Sequence, residues 1–199
     1  MCQDNYQNKE NYMNRNKKLY TMTPTALLIA IGIVIPMVSP IKIVIPPMSF
    51  TVASHVAIIL AMFISPMTAI GVSLGTTLGF FLAGFPIVVV LRALSHVIWA
   101  FIGATYLQKH PLTLKKTSSN LLFNLSIAAI HALCEVIIVI PFYTTGSISN
   151  ILYMLFVLVG LGSAVHSFVD FIISAIVYKP LTKVKSVTTV ANIKDLNIL

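Results

Sequence analysis

Hydrophobic residues fill long stretches of this chain, and polar residues are concentrated in short segments between them and at both ends. A membrane-spanning helix needs about 20 apolar residues to cross roughly 30 Å of hydrocarbon. Cutting the apolar stretches at prolines, glycines and charge clusters gives six candidate spans, at 20–38, 51–65, 66–84, 86–108, 120–141 and 150–178. The pattern therefore predicts an all-α membrane protein with six transmembrane helices.

Composition supports a membrane protein and sets its domain boundaries. Charged residues make up 9% of the 199 residues, whereas soluble globular domains carry about 25%. We expect a single transmembrane domain over residues 20–180. The polar, Asn-rich residues 1–19 are predicted to form a disordered cytosolic tail, and residues 181–199 a cytosolic C-terminal tail.

The distribution of positive charge predicts the orientation in the membrane. Of the 13 Lys and Arg residues, 11 fall before the first span, in the 109–119 loop or after the sixth span. Short cytosolic loops carry an excess of Lys and Arg, so both termini are predicted to be cytosolic, in the plasma membrane. The 39–50, 84–86 and 142–149 loops then face outside. Because topology explains the basic excess, the lipid bilayer is the expected partner and nucleic acid is not.

Two local patterns predict helix starts and helix packing. Thr23-Pro24 and Ser65-Pro66 each place a proline after a capping residue, which is typical of a helix N-terminus. Gly71, Gly75, Gly79 and Ala83 lie on one face of the third span. Small residues at that spacing let two helices approach closely, so we expect this face to pack against another helix.

Ionisable residues within the spans are the main functional signal. Three pairs have the i, i+4 spacing that places them on one helix face: Arg92 with His96, His131 with Glu135, and His166 with Asp170; His55 adds a fourth position. A charge near the bilayer centre costs about 2.5–3.5 kcal/mol on insertion scales, so such residues usually face a cavity or a partner. Arg92 and Glu135 would lie roughly 9 Å from the outer ends of their helices. The set therefore predicts an outward-opening pocket.

Three interpretations of these residues remain open. They could be structural, with Arg92 and Glu135 paired across helices and the histidines acting as neutral hydrogen-bonding groups. They could bind a metal, because histidines and carboxylates suit Zn, Co or Ni, although Arg92 would repel a cation. They could bind an organic anion, with Arg92 making a bidentate contact to a carboxylate, and this hypothesis is preferred.

Aromatic residues and one outer loop could complete an anion pocket. Trp99, Tyr143 and Tyr153 could supply flat walls for a ring. The 39–50 loop is apolar and is stiffened by Pro40, Pro46 and Pro47. It could act as a lid that excludes water, or it could be an ordinary interfacial segment.

Two further features concern partners. The sequence contains no G-x-x-x-x-G-K-[ST] motif for ATP and no repeat that would build two rocking halves. A protein of this kind that moves a solute would need other subunits. Ala26 and Ala30 form a small-xxx-small pair on the first span, which suits packing within the chain or docking of a membrane partner.

The whole 20–180 region resembles the substrate-binding S components of energy-coupling factor (ECF) vitamin transporters, and 49–96 (SFTVASHVAIILAMFISPMTAIGVSLGTTLGFFLAGFPIVVVLRALSH) is most similar to their niacin-specific members. Ala26-xxx-Ala30 resembles the family's first-helix motif. The resemblance implies that this pair docks onto a shared transmembrane scaffold subunit. It also implies that two cytosolic ATPases power uptake, that the later helices form the pocket, and that the loop after the first helix covers it.

The combined hypothesis is a non-enzymatic binding subunit for niacin, a small vitamin with a carboxylate. Arg92 would hold the carboxylate, and His96, His131 or Glu135 would meet the ring nitrogen. The alternatives are another vitamin, such as pantothenate, riboflavin or a pyridoxine-type ring, or an intramembrane metal carrier or enzyme. No catalytic residue, cofactor or metal is predicted. The candidate substrate-binding residues are Arg92, His96, His131, Glu135, His55, Trp99, Tyr143, Tyr153 and His166, and the docking residues are Ala26 and Ala30.

Overall fold

The computed structural model describes residues 2–39, 42–45, 48–143 and 148–198. The fold is an α-helical bundle with one short β-hairpin. Its helices are α1 (Cys2–Val38), α2 (Val56–Ile64), α3 (Pro66–Leu82), α4 (Ile87–Lys109), α5 (Thr117–Val139), α6 (Ile148–Leu152), α7 (Gly162–Leu181) and α8 (Lys185–Val190). A π-helical stretch, Tyr153–Leu161, joins α6 to α7, and 3-10 turns occupy Thr113–Lys115 and Ile140–Phe142. The all-α fold class is confirmed.

Helices cover all six predicted spans, but they differ in length. Four are long and apolar enough to cross a membrane: Tyr20–Val38, Ile87–Lys109, Thr117–Phe142 and Asn150–Leu181. The third span forms the 17-residue α3. The second forms only the nine-residue α2, about 13 Å long, because residues 52–55 form a turn instead of a helical start. Four of the predicted spans are therefore long and apolar enough to cross a membrane, and the count of six crossings stays a prediction.

The two proline signals had different outcomes. Ser65 caps α3 as predicted, since its hydroxyl accepts a hydrogen bond from Thr68 N at 3.1 Å with Pro66 in the first turn. The predicted start at Thr23-Pro24 is wrong, because α1 begins at Cys2 and Pro24 lies inside it. Helix α1 thus includes residues 2–19, for which disorder was expected, and Met1 lies outside the described residues.

The glycine face of α3 packs against α1, as predicted. A Cβ atom at Gly75 would lie 2.5 Å from Ile29 Cγ2, and one at Gly79 would lie 2.7 Å from Ile33 Cα. Real Cβ atoms do not approach that closely, so only glycine allows the two backbones to come together here. The contact leaves the other side of α1 facing outwards.

Helix α2 forms the centre of the bundle. All nine of its residues are buried, and Phe63 contacts the rings of Phe171 and Tyr178. The surrounding helices instead expose large apolar side chains on their outer faces, including Leu78, Phe81, Leu122, Leu133, Phe156 and Leu161. An apolar exterior around a packed core is the arrangement that a lipid environment stabilises.

A two-stranded antiparallel hairpin connects α1 to α2. Strand β1 (Lys42–Ile45) pairs with β2 (Met48–Thr51), with Ile43 opposite Phe50. This hairpin is the described part of the predicted 39–50 lid; Pro40, Pro46 and Pro47 lie outside the described residues. Its second strand reaches α7, where the ring of Phe50 contacts that of His166.

The C-terminal segment, predicted to be a cytosolic tail, is packed against the bundle. Ala191, Ile193 and Leu196 are buried in the main hydrophobic core. The backbone N–H groups of Asn192 and Ile193 both donate to the Phe63 carbonyl near the end of α2, at 2.9 and 3.1 Å. These two N–H groups provide hydrogen-bond donors for a carbonyl that would otherwise have no partner at the end of α2.

Candidate functional site

The predicted ionisable residues meet in one buried cluster between α4, α5, α7 and the turn before α2. Helix α4 supplies Arg92 and His96, and α5 supplies His131 and Glu135. His166 and Asp170 come from α7, and His55 directly precedes α2. The i, i+4 spacing holds each helical pair on one face, so three helices can direct both members inwards. His55 is brought to the cluster by the tertiary fold.

A buried ion pair joins α4 to α5. Arg92 Nη2 lies 2.6 Å from Glu135 Oε2, and the side chains are 4% and 5% exposed. Ser163 from α7 also donates its hydroxyl proton to Glu135 Oε2. Such a pair requires good geometry and further hydrogen bonds to offset the loss of hydration. Three helices therefore meet at the Glu135 carboxylate.

The guanidinium also faces the hairpin. Arg92 Nη1 donates to Ser49 Oγ at 3.4 Å, and its Cζ lies 6.0 Å from the centre of the Phe50 ring. Both contacts come from β2, directly above the ion pair. The hairpin thus covers Arg92 on its outer side.

The Asp170 carboxylate fixes the turn that carries His55. Its Oδ1 accepts from Ala53 N at 3.0 Å, and its Oδ2 lies 3.1 Å from His55 N and 3.0 Å from His55 Nδ1. Ala53 has a φ of 67°, in the left-handed region that residues other than glycine rarely occupy. Asp170 therefore holds a strained turn in place, and the orientation of His55 depends on it.

The histidines form a compact group around Trp99. The ring centres of His55, His96 and His131 lie 4.6–4.9 Å from one another. Trp99 is fully buried, with its ring 5.2–6.0 Å from the same three rings. Each of the three histidines offers a ring nitrogen within 4.8 Å of the other two, and His55, His166 and Asp170 form a second such group. Both groups have ligand atoms of a type that could bind a metal.

A small cavity lies between this cluster and the hairpin. Its volume is about 30 Å³, close to the space needed by one water molecule. Polar groups face apolar and aromatic ones across it: the lining residues are Ser49, Phe50, Thr51, Ser54, His55, Phe80, Phe85, Val89, Arg92, Ala93, His96, Glu135 and His166. A small flat molecule would need this space to widen, and Ser49, Phe50 and Thr51 of the hairpin form part of its wall.

None of the three predicted aromatic residues lines this cavity. Trp99 instead packs against the rings of His55, His96 and His131. Tyr143 packs against the separate apolar cluster of Val136, Val139, Leu155 and Val159, and Tyr153 is 55% exposed. Phe50, Phe80 and Phe85 line the cavity instead. The position of an aromatic residue along the sequence does not determine the direction of its side chain.

Several site residues were missed in the sequence, and most of them are short polar side chains. Ser49, Ser54 and Ser163 contact Arg92, His166 and Glu135, respectively. Serine within an apolar run is common and gave no signal. Asp170 was noted only as a partner of His166; its bonds to backbone N–H groups leave no trace in the sequence.

The proposed docking pair lies on the outward face of α1. Ala26 and Ala30 are exposed, whereas Leu28 and Gly32 on the other side are buried. The exposed face also carries Leu27, Ile31, Val34 and Met37. In the part of the chain that the structure describes, internal packing therefore does not account for the two alanines.

Comparison with known proteins identifies the family. The chain is 39% identical over 173 residues to the niacin transporter NiaX of Lactococcus lactis subsp. cremoris (strain MG1363), a match that covers 83% of this chain and 77% of that protein. No protein-family model and no solved structure matches it. Identity at this level over most of both chains indicates common descent and a common fold. The chain therefore belongs to the family of niacin-specific S components of energy-coupling factor transporters, the family that its sequence resembles.

Proposed function

We propose that this protein is the membrane-embedded S component through which an ECF-type importer takes up niacin. The observation that carries the proposal is the buried Arg92 guanidinium in the wall of a covered cavity, in a chain 39% identical to a niacin transporter. A guanidinium can bind a carboxylate through two parallel hydrogen bonds. The family relationship favours niacin over the other vitamins considered.

The proposed binding mode places the nicotinate carboxylate on Arg92. The pyridine ring would then lie among Phe50, Phe80 and Phe85, which present flat apolar surfaces around the same space. His55, His96 and His166 also face that space and could reach the ring nitrogen. Arg92 would have to exchange part of its contact with Glu135 for the vitamin, because the two groups are only 2.6 Å apart.

Entry of the vitamin would require the hairpin to move. The cavity of about 30 Å³ has room for about one water molecule, whereas nicotinate has nine non-hydrogen atoms. Ser49 and Phe50 contact the site through a 3.4 Å hydrogen bond and ring contacts, which are few and individually weak. The hairpin is therefore proposed as the lid, which opens for the vitamin and then excludes water.

The proposed assembly includes a transmembrane scaffold subunit and two cytosolic ATPases. The exposed Ala26 and Ala30 offer a surface on which another helix could pack closely. We place the protein in the plasma membrane with six crossings and cytosolic termini, which agrees with the concentration of Lys and Arg at the ends and in the 109–119 loop. In this orientation the cavity opens to the outside.

The identity of the substrate can be tested without variants. The full chain is purified in detergent without added vitamin, any bound molecule is extracted, and its mass is determined. Calorimetry then compares nicotinate, nicotinamide, pantothenate, riboflavin and pyridoxine. Binding of nicotinate with 1:1 stoichiometry supports the proposal. A co-purified flavin, or a pantothenate affinity above that of nicotinate, would overturn it.

A further inference from the structure

The group formed by His55, His96 and His131 has the composition of a metal site. Each residue places one ring nitrogen within 4.8 Å of the other two. Nitrogens around a tetrahedral Zn²⁺ lie at about 2.0–2.1 Å from the metal, hence about 3.3 Å from one another. The nitrogens lie within 4.8 Å of one another, so each pair would have to approach by no more than about 1.5 Å to reach that spacing. Three histidines would also leave a fourth position open to another ligand.

Carboxylates lie beside all three histidines. Asp170 Oδ2 is 3.0 Å from His55 Nδ1, and Glu135 Oε1 is 3.4 Å from His96 Nε2 and 3.3 Å from His131 Nε2. A metal-binding histidine commonly donates its second ring N–H to a carboxylate, which orients the ring and increases its basicity. Asp170 is positioned for that role beside His55, and Glu135 is positioned for it beside His96.

The remaining ring nitrogens need partners. Among the described residues, His96 Nδ1 and His131 Nδ1 are buried and have no hydrogen-bond partner, and the contact between His131 Nε2 and Glu135 lacks hydrogen-bond geometry. A buried polar atom without a partner costs about 1–3 kcal/mol. A cation bound between the rings would give a partner to one nitrogen of His96 and one of His131, since each imidazole offers a single ligand atom to an ion.

The charge balance of the cluster gives a second argument, separate from the ring geometry. This argument rests on the proposed function. With neutral histidines, the guanidinium of Arg92 and the carboxylates of Glu135 and Asp170 leave one negative charge in the buried cluster. A bound nicotinate would add a second, and buried uncompensated charge is strongly unfavourable. One divalent cation restores neutrality. Arg92 does not prevent this, since Glu135 already neutralises it at 2.6 Å.

We propose that His55, His96 and His131 bind one divalent transition-metal ion of the Zn²⁺, Ni²⁺ or Co²⁺ class, and that this ion and the vitamin carboxylate stabilise each other's binding. Imidazole nitrogens suit these metals. His55 and His96 also line the vitamin cavity, so the proposed metal site adjoins it. The expectation of a metal-free site is thereby revised.

The chain contains a built-in reporter for this site. Trp99 is its only tryptophan and lies within 6.0 Å of all three rings. The full chain, purified in detergent and treated with a chelator, is titrated with Ni²⁺, which quenches nearby indole fluorescence. We expect quenching that saturates at one equivalent and is reversed by the chelator. Elemental mass spectrometry of protein purified without a chelator measures the metal content directly.

Variants locate the site. His96→Asn and His131→Asn should each weaken Ni²⁺ binding at least about tenfold, since loss of outer partners alone costs 10–100-fold. His110→Asn is the matched control, because His110 is exposed in the loop after α4 and lies outside the cluster. It should titrate like the wild type. Elution as a single symmetric peak confirms that each variant is folded.

The outcomes separate this proposal from the niacin proposal. Calorimetry with nicotinate is run with one equivalent of Zn²⁺ and with the chelator, and we expect at least tenfold tighter binding with the metal, by the reciprocity of coupled sites. Any one of three results overturns the metal proposal. They are equal nicotinate affinity with and without the metal, absence of saturable quenching, and loss of quenching only in His110→Asn. Saturable quenching without any nicotinate binding would instead overturn the niacin proposal and the coupling, and leave the metal site.

Discussion

Arg92 on α4 and Glu135 on α5 form an ion pair of 2.6 Å that is almost completely removed from solvent. The pair occupies the guanidinium that we propose as the carboxylate-binding group. Under that proposal, binding of nicotinate would be a competition between two carboxylates for one guanidinium. A stronger pair between Arg92 and Glu135 would then lower the measured affinity for nicotinate, because part of that pair must be broken for the vitamin to bind.

Glu135→Gln should lower the stability of the ligand-free protein and increase its affinity for nicotinate. Removing one partner of a buried pair leaves an uncompensated charge and costs about 3–5 kcal/mol. The vitamin carboxylate would supply the missing negative charge. Thermal unfolding in detergent should show a lower Tm and a larger increase in Tm on adding nicotinate than in the wild type. Weaker nicotinate binding in this variant would show that Glu135 contacts the vitamin.

Arg92→Ala should weaken nicotinate binding by at least about 1.5–3 kcal/mol, the magnitude of a hydrogen bond to a charged group. Nicotinamide lacks the carboxylate, so its affinity should decrease less. The double variant Arg92→Met/Glu135→Met is the control for folding, because replacing both members of a buried pair is often neutral. It should remain folded without binding nicotinate. Unchanged nicotinate affinity in Arg92→Ala would exclude the proposed contact.

Asp170→Asn should loosen the turn that carries His55. The carboxylate accepts bonds from Ala53 N and His55 N through its two oxygens, and an amide provides only one acceptor oxygen. One buried N–H would lose its partner, at a cost of about 1–3 kcal/mol. The matched variant Ala53→Gly keeps both bonds and suits the φ of 67°, so its Tm should not fall. Equal Tm values for Asp170→Asn and the wild type would contradict the proposed role.

The cluster could be predicted from the sequence because a charge within the membrane is energetically costly, and because i, i+4 spacing places two residues on the same face of a helix. That argument placed Arg92, His96, His131 and Glu135 together, and the structure confirms their proximity. It could not choose between pairing and ligand binding for Glu135, since both need a carboxylate at the same depth. It also gave no information about bonds to backbone N–H groups, such as those that make Asp170 the support of His55.

At the two ends of the chain, the structure shows packing and helix that composition alone did not indicate. Polar composition suggested tails, but burial of Ala191, Ile193 and Leu196 depends on partners distant in sequence, including the Phe63 carbonyl. The spacing of apolar residues along the segment does not identify such distant partners. At the other end, Pro24 looked like a helix start because a proline inside a helix normally removes a hydrogen bond.

Gly79→Ala should destabilise the bundle, whereas Gly71→Ala should not. A Cβ at position 79 would meet the Ile33 backbone at 2.7 Å, but the nearest neighbour at position 71 is Thr25 Cγ2 at 4.0 Å. Overpacking typically costs about 1–3 kcal/mol, and a tolerated change stays within about 0.5 kcal/mol. Thermal unfolding of the two variants in the same detergent compares them directly. Similar Tm values would show that α1 and α3 are not held together at position 79.

Ala26→Leu/Ala30→Leu should abolish uptake while leaving vitamin binding intact. Both alanines are exposed on α1, on the side away from the α3 contact, so larger side chains have room in the isolated protein. A partner helix that packs against them would be pushed away, since close approach depends on small residues. Niacin uptake should fall at least about tenfold and co-purification of the scaffold subunit should be lost, with nicotinate affinity within about twofold of the wild type. Val165→Leu on α7, where Val165 is 56% exposed, is the control for a larger apolar side chain on the outer surface. If nicotinate binding fell with uptake in the double variant, the alanines would be needed for the fold of the chain, and the docking surface would have to lie elsewhere.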